Sequence, residues 1–231
     1  MNRQYHPALP EIGELAELLS FWPAYESLWP QMQDVDRICL DRLLLIRERL
    51  LDLGLSGCSI LDLGGGSGYF AWALHLTVAG SVDLVEDERA RQFGYNDASF
   101  TAELRSRIDR FGLEDLHVHD SSIEAFLAEK APDKRWDVTI CLSVLHHFVT
   151  GYGDNRSVGR MPYDELLEVF RNIGRVTTQR LFLEVDPERI LNYEQFLSDV
   201  MEEGEFVDMD VLGKSHSSIG VARNIMEFRK K

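Results

Sequence analysis

The sequence predicts an α/β fold: a mostly parallel sheet flanked by helices, preceded by a helical extension and closed by a hairpin. Three observations carry this. From Gly57 onward, apolar runs of strand length alternate with helical patterns. One of those runs enters a glycine-rich turn that opens a helix. The chain of 231 residues, 45% hydrophobic and 27% charged, holds enough apolar material for one core plus an extension. Strands that alternate with helices become parallel neighbours, because a parallel pair needs a long crossover and the helix supplies it.

Residues 11–53 read as helix. Leu15, Leu18, Leu19 and Trp22 recur at helical spacing, as do Leu40, Leu43, Leu44 and Leu51, with Pro23 and Pro30 interrupting between them. Trp22 and Trp29 are read as apolar anchors of this segment. Residues 1–54 thus form a helical extension packed on a core of residues 55–231. In the core, strands are expected over 59–63, 81–85, 116–119, 136–142 and 180–185. Helices are expected over 100–111, 122–130, 164–173 and 188–201. Two β-like stretches, 206–212 and 219–228, are divided by the polar segment 213–218 and form the hairpin.

The formal net charge of −15 argues against a long nucleic acid as partner, since phosphate binding normally gathers a basic surface. The segment 64–82 has no Asp, Glu, Lys or Arg, but its opening Gly64, Gly65, Gly66 and Gly68 and its His75 fit a strand-turn-helix passage better than a membrane span. The first residues lack the apolar stretch of a secretory leader. Cys39, Cys58 and Cys141 have neither the number nor the spacing of a disulfide framework or a zinc site. A cytoplasmic protein without a bound metal is the resulting expectation.

The strongest chemical signal is Ile60-Leu61-Asp62-Leu63-Gly64-Gly65-Gly66-Ser67-Gly68. Glycines in such a turn let the backbone approach a ligand that a Cβ would block. The next strand ends at Glu86, 22 residues after Gly64, where a parallel sheet sets a carboxylate beside a ribose. A nicotinamide dehydrogenase would carry G-x-G-x-x-G, with its last glycine helping a pyrophosphate onto the helix. Here the spacing is G-x-G-x-G.

That loop resembles the first motif of class I S-adenosylmethionine-dependent methyltransferases, and Asp62 matches the family's acidic residue before it. The resemblance covers about residues 57–185, with several motifs in order. It implies a Rossmann-like sheet of seven strands, mostly parallel with the last antiparallel, and S-adenosyl-L-methionine as cofactor. It implies cofactor contacts at Asp62, Gly64, Gly65, Gly66, Gly68 and Glu86. His119-Asp120-Ser121 matches the adenine-contacting position, so Asp120 and Ser121 join them; either also reads as the cap of the following helix. Ser143, closing the fourth strand, should face the transferred methyl group, because ligands of open α/β sheets sit beyond the carboxyl ends of the strands. Tyr25 and Arg42 of the extension are further candidates. Arg42 either grips the cofactor's carboxylate with a bidentate fork or stands on a helix surface.

For chemistry the informative stretch is Leu142-Ser143-Val144-Leu145-His146-His147-Phe148. Adjacent histidines entering a helical turn are expected to point in different directions, one toward the acceptor. An imidazole there can take a proton from a hydroxyl or donate to an anion, so His146 and His147 are the catalytic candidates. The alternative for both is packing. The polar loop that follows offers Tyr152 and Arg156 to a substrate, and Glu184 at the end of the fifth strand is expected to border the same crevice. If the sheet is of methyltransferase type, the turn of the terminal hairpin lies on the active-site side and brings Lys214 and His216 to the substrate rim.

The motif order is also similar to a narrower group, the methyltransferase domains of bacterial O-antigen chain terminators. Tyr25 with Leu28-Trp29, Arg42, Leu142 to His147 and Leu183-Glu184 carry that likeness. A weaker likeness is to RNA phosphate-capping methyltransferases. Both imply methylation of an oxygen on a small molecule or glycan, including a phosphate oxygen. Amine methylation is the alternative, although the Asn/Asp-Pro-Pro-aromatic run common in base-amine methylation is absent after the fourth strand. A non-catalytic cofactor-binding subunit is the remaining one.

Overall fold

Strand β1 (Cys58–Leu63) is apolar at consecutive positions because both of its faces are covered. Ile60 lies in one apolar core and Leu61 in the other. Successive strand residues point to opposite faces, so a central strand with helices on both sides needs both phases apolar. The computed structural model describes residues 40–66, 68–87, 100–151, 159–216 and 222–231. Its other strands are β2 (Ala79–Glu86), β3 (Leu116–Asp120), β4 (Trp136–Leu142), β5 (Thr177–Glu184), β6 (Asp208–His216) and β7 (Ala222–Arg229). The helices are α1 (Leu40–Asp52), α2 (Tyr69–Thr77), α3 (Phe100–Phe111), α4 (Ile123–Lys130), α5 (Leu145–Thr150), α6 (Tyr163–Val176) and α7 (Tyr193–Glu203).

The strands form one sheet in the order β3-β2-β1-β4-β5-β7-β6. The first five pair in parallel, and β7 runs antiparallel between β5 and β6. So β6 runs with the others and β7 alone runs back, the arrangement the resemblance implied. The order reverses direction between β1 and β4. At such a switch point the connections leave to opposite faces, and a crevice opens beyond the carboxyl ends of the two strands. This is where β1 delivers the glycine loop and β4 delivers Ser143.

One face of the sheet is covered by α1, α2 and Leu104 of α3, the other by α4, α5, α6 and α7. In α6, Leu166, Val169, Phe170 and Ile173 are buried at helical spacing. Asp164 and Glu165 stand in its first turn and Arg175 in its last, each on the side the helix dipole favours. In α1, Arg42 and Arg49 lie two turns apart. Arg49 Nε donates to Glu227 of β7 at 2.8 Å, and Arg180 Nε of β5 donates to the other oxygen at 2.9 Å. The helix is thereby fixed to the sheet through a carboxylate that is 2% exposed.

Several boundaries differ from the sequence expectation. β5 starts at Thr177, where the Thr139 and Thr177 hydroxyls bond each other at 2.6 Å and satisfy two polar groups inside the core. The segment 188–201 divides into a single 3-10 turn, Pro187–Arg189, and α7, with Asn192 capping the latter through the Gln195 amide. Ser122, not Asp120 or Ser121, caps α4 by accepting from the Ala125 amide at 3.3 Å. β6 passes through an irregularity between Val211 and Gly213 and continues to His216, so 213–216 is strand. Cys58 and Cys141 are buried and unpaired. No described helix is long and apolar enough to cross a membrane.

Candidate active site

After Leu63 the chain turns through the glycines into α2. A Cβ at Gly64, Gly65 or Gly68 would lie 2.5–2.6 Å from side-chain carbons of Val144, Leu84 or Leu104, so these three permit close packing around the turn. Gly66 differs. Its φ is +54°, which disfavours a side chain, and a Cβ built there would meet no described residue within 4 Å. It leaves open space at the turn among the described residues. The Gly66 amide donates to Oε2 of Glu86 at 2.8 Å, which sets that carboxylate at the edge of the opening.

Asp62 lies beneath the same turn and is 3% exposed. Its Oδ2 has no hydrogen-bond partner among the described residues. Burial, reinforced by the nearby charge of Glu86, pushes its carboxyl up to about 7, against the pull of the Ala71 amide of α2. A buried, unpartnered carboxylate oxygen beside an open glycine cradle suits a ligand that brings a positive charge or a hydrogen-bond donor.

At the end of β4, Ser143 holds φ +62°, a left-handed conformation costing of order 1–3 kcal/mol in a non-glycine residue. Its surroundings fix it there. Its amide donates to the Glu184 carbonyl at 2.8 Å, and its hydroxyl donates to Glu184 Oε2 at 2.7 Å. The same hydroxyl accepts from Arg42 Nη1 at 3.2 Å and Arg223 Nη1 at 3.0 Å. Glu184 also receives Arg42 Nη1 at 2.7 Å and Arg223 Nη1 at 3.3 Å, and Arg223 Nη2 donates to Asp186 Oδ2 at 2.9 Å. Two guanidiniums and two carboxylates, all buried, thus balance one another under the strand ends. This corrects two expectations. Arg42 is not a surface arginine. Glu184 is 0% exposed with both oxygens engaged, so it stands under the crevice and not on its rim.

The histidine pair sits on α5, which begins two residues after Ser143. His146 is buried and His147 half-buried. The rings do not diverge as expected: their centroids are 4.3 Å apart with planes at 40°. Both rings are held by the chain around them, His146 by the segment after β5 and His147 by the end of its own helix. The Asp186 amide donates to His146 Nδ1 at 3.4 Å, so the proton of the neutral ring lies on Nε2. His147 Nδ1 lies 3.3 Å from the Gly151 carbonyl, which only accepts, and 3.5 Å from Arg189 Nη1, which only donates. The shorter contact assigns an Nδ1–H to His147 and its lone pair to Nε2. Burial, then His147, Arg223 and Arg189, push His146 down to about 2. Burial also lowers His147, helped by Arg189 and Arg223 and opposed by Gly151 and Asp186. Both are neutral imidazoles near neutral pH.

The remaining predicted residues are distributed as follows. Asp120 is exposed and pairs in register with Glu86, and the Ser121 amide donates to the Glu86 carbonyl at 3.1 Å. Both therefore flank the ribose candidate. Lys214 is exposed on β6, and His216 is opposite Ala222 at the hairpin end. Because β7 runs back along β5, that hairpin end lies on the crevice side. Tyr25, Tyr152 and Arg156 lie outside the described residues. No group of His, Cys, Asp and Glu suited to a metal ion occurs among the described residues. Three site residues escaped the sequence reading: Asp186, Arg189 and Arg223. Arg223 shares one face of its strand with Ile225 and Glu227, both buried.

No family model and no curated protein matches this chain. Solved structures do. WbdD superposes with a TM-score of 0.60 at 20% identity over 84% of this chain, which spans 41% of the WbdD chain. Magnesium protoporphyrin IX methyltransferase from Synechocystis PCC 6803, solved with bound S-adenosylmethionine, gives 0.58 at 15% identity over 82% of this chain and 79% of that one. The N-terminal domain of EvdMO1, solved with S-adenosylhomocysteine and D-fucose, gives 0.54 at 16% over 81% and 82%. The fold is that of the class I S-adenosylmethionine-dependent methyltransferases.

Proposed function

We propose that this protein is an S-adenosylmethionine-dependent methyltransferase acting on an oxygen of a small molecule or glycan, including a phosphate oxygen. One observation carries the reading: the open cradle at Gly66 is flanked by Glu86 and by the unpartnered oxygen of Asp62. The cofactor supplies an electrophilic methyl on a sulfonium. Toward it, Glu86 would accept from the ribose hydroxyls, Asp120 and Ser121 would border the adenine, and Asp62 would face the cationic amino end. Gly64, Gly65 and Gly68 hold the turn in shape. Arg42 keeps Ser143 and Glu184 in place under the methyl, and Tyr25 belongs to the same extension.

On the acceptor side His147 is the base and His146 the donor. The Nε2 lone pair of His147 takes a hydroxyl proton, while His146 offers an Nε2–H to a neighbouring oxygen. A phosphate oxygen is already ionised and asks for positioning alone. Arg189, Arg156, Tyr152, Lys214 and His216 are the groups available to hold it within a chain of net charge −15. The motif likeness to O-antigen chain terminators and the D-fucose in the EvdMO1 structure support a glycan acceptor.

The test has two stages. Calorimetry should show S-adenosylmethionine and S-adenosylhomocysteine binding, with no binding of nicotinamide dinucleotides. A methyl-labelled cofactor is then offered with phosphorylated glycans, neutral hydroxyl compounds and amines. Label on oxygen is expected; label found on nitrogen alone overturns the oxygen assignment, and absence of cofactor binding overturns the whole reading.

A further inference from the structure

We propose that Arg223, on the returning strand β7, is a positioning residue for the methyl transfer: it clamps the ends of β4 and β5 and thereby sets the histidine pair. This rests on the methyltransferase reading above. The geometry is specific. β7 runs antiparallel to β5, so its first residues reach the carboxyl ends of the parallel strands, where Ile225 pairs with Glu184 and Arg223 adds side-chain bonds. From there one guanidinium spans three partners. Nη1 donates to the Ser143 hydroxyl at 3.0 Å and to Glu184 Oε1 at 3.3 Å, and Nη2 donates to Asp186 Oδ2 at 2.9 Å.

Each contact has a consequence for the reacting groups. Ser143 is in a left-handed conformation two residues before α5, next to its N-cap Val144, so its setting fixes the entry of the helix that carries His146 and His147. Asp186 turns one carboxylate oxygen to Arg223 and the other to the Glu188 amide at 3.1 Å, which pins the backbone whose N–H donates to His146 Nδ1. That amide decides the tautomer of His146. The planar fork is needed for this, because a lysine ammonium is a single point and cannot bridge the two strand ends in the same geometry. Arg223 is 7% exposed, its side chain directed inward and not at a substrate, which separates a positioning role from a binding one.

The charge acts as well. The groups facing the pair are Arg223 from β7, Glu184 from β5, Asp186 and Arg189 from the segment after it, and Arg42 from α1 beyond Ser143. Removing the Arg223 cation leaves Asp186 and Glu184 less compensated and favours the protonated form of both rings.

The test is long-range proton–nitrogen spectroscopy of the full chain labelled with nitrogen-15 in histidine, across an acid-to-neutral titration. In the wild type His146 should show a single Nε2–H tautomer, and His147 should titrate below the ordinary value of 6.5. Arg223→Met should give mixed tautomers at His146 and move the His147 titration upward. Arg223→Lys should restore the His147 titration and leave the tautomers mixed. Unaltered His146 and His147 signals in Arg223→Met overturn the proposal. If that variant does not fold, Arg223→Lys with a wild-type His146 tautomer overturns it. Calorimetry of the wild type with S-adenosylhomocysteine runs in parallel. Its failure strikes the methyltransferase reading and leaves the ring signals as a separate result.

Discussion

Glu184→Gln is expected to destabilise the protein severely while preserving the shape of the site. Glu184 is 0% exposed and accepts from Arg42 at 2.7 Å, Arg223 at 3.3 Å and the Ser143 hydroxyl at 2.7 Å. The amide keeps the volume but takes the buried cluster from two cations and two anions to two cations and one anion. Two charge-assisted bonds at about 1.5–3 kcal/mol each are weakened, and removing one partner of a buried pair costs about 3–5 kcal/mol. For a domain of this size, about 2–4 °C per kcal/mol translates this into a fall in Tm of roughly 6–20 °C. Urea melts should show the same loss with an unchanged slope, since the surface exposed on unfolding is the same. Arg42→Met together with Glu184→Gln restores charge parity, so the double variant should lose less than the sum of the singles. A coupling of about 0.5–3 kcal/mol is expected. A loss below about 1 kcal/mol in Glu184→Gln, or strict additivity in the pair, would refute the claim that this cluster holds the strand ends.

Gly66→Val should abolish binding of S-adenosylhomocysteine in calorimetry by filling the cradle, and Glu86→Ala should weaken it by about 1–3 kcal/mol; wild-type affinity in both folded variants moves the cofactor elsewhere. His147→Ala should reduce turnover on a hydroxyl acceptor by about 10²–10⁴-fold with little change in cofactor affinity. Because burial and Arg189 lower His147, the acid limb of wild-type turnover should lie below 6.5, and Arg189→Met should move it upward. Asp62 has a folded value of about 7 against an ordinary 3.8, so its protonated form favours the fold, and that stability is lost as pH rises from about 4 through 7. Asp62→Asn should therefore be more stable than wild type above neutral pH without cofactor, by a few kcal/mol at most in urea melts, and converge with it near pH 4; equal stability throughout means that Asp62 is solvated.

The sequence by itself determined what depends on neighbours along the chain. The apolar runs through Ile60-Leu61 and Trp136–Leu142, the glycine turn and the helical period of α6 are local signals, and each element formed where its pattern lies. The turn chemistry also singled out Gly66, Glu86 and Asp62 as candidates, and the fold brings them together because a glycine loop, the strand before it and the end of the next strand belong to one strand-helix-strand unit. Where local signals were silent, boundaries moved: residues 213–216 are polar, and only pairing with β7 makes them strand. Tertiary structure decided what the charged residues do. Arg42 and Glu184 are 142 residues apart, and Arg223 and Ser143 are 80 apart. No periodicity joins them. They meet because the sheet order places β5 between β4 and β7, and α1 across their ends. The same assembly turned Glu184 from an expected rim carboxylate into a buried one and brought the two histidine rings side by side. A buried charge must find its counter-charge wherever the topology delivers it, and that delivery belongs to the fold as a whole.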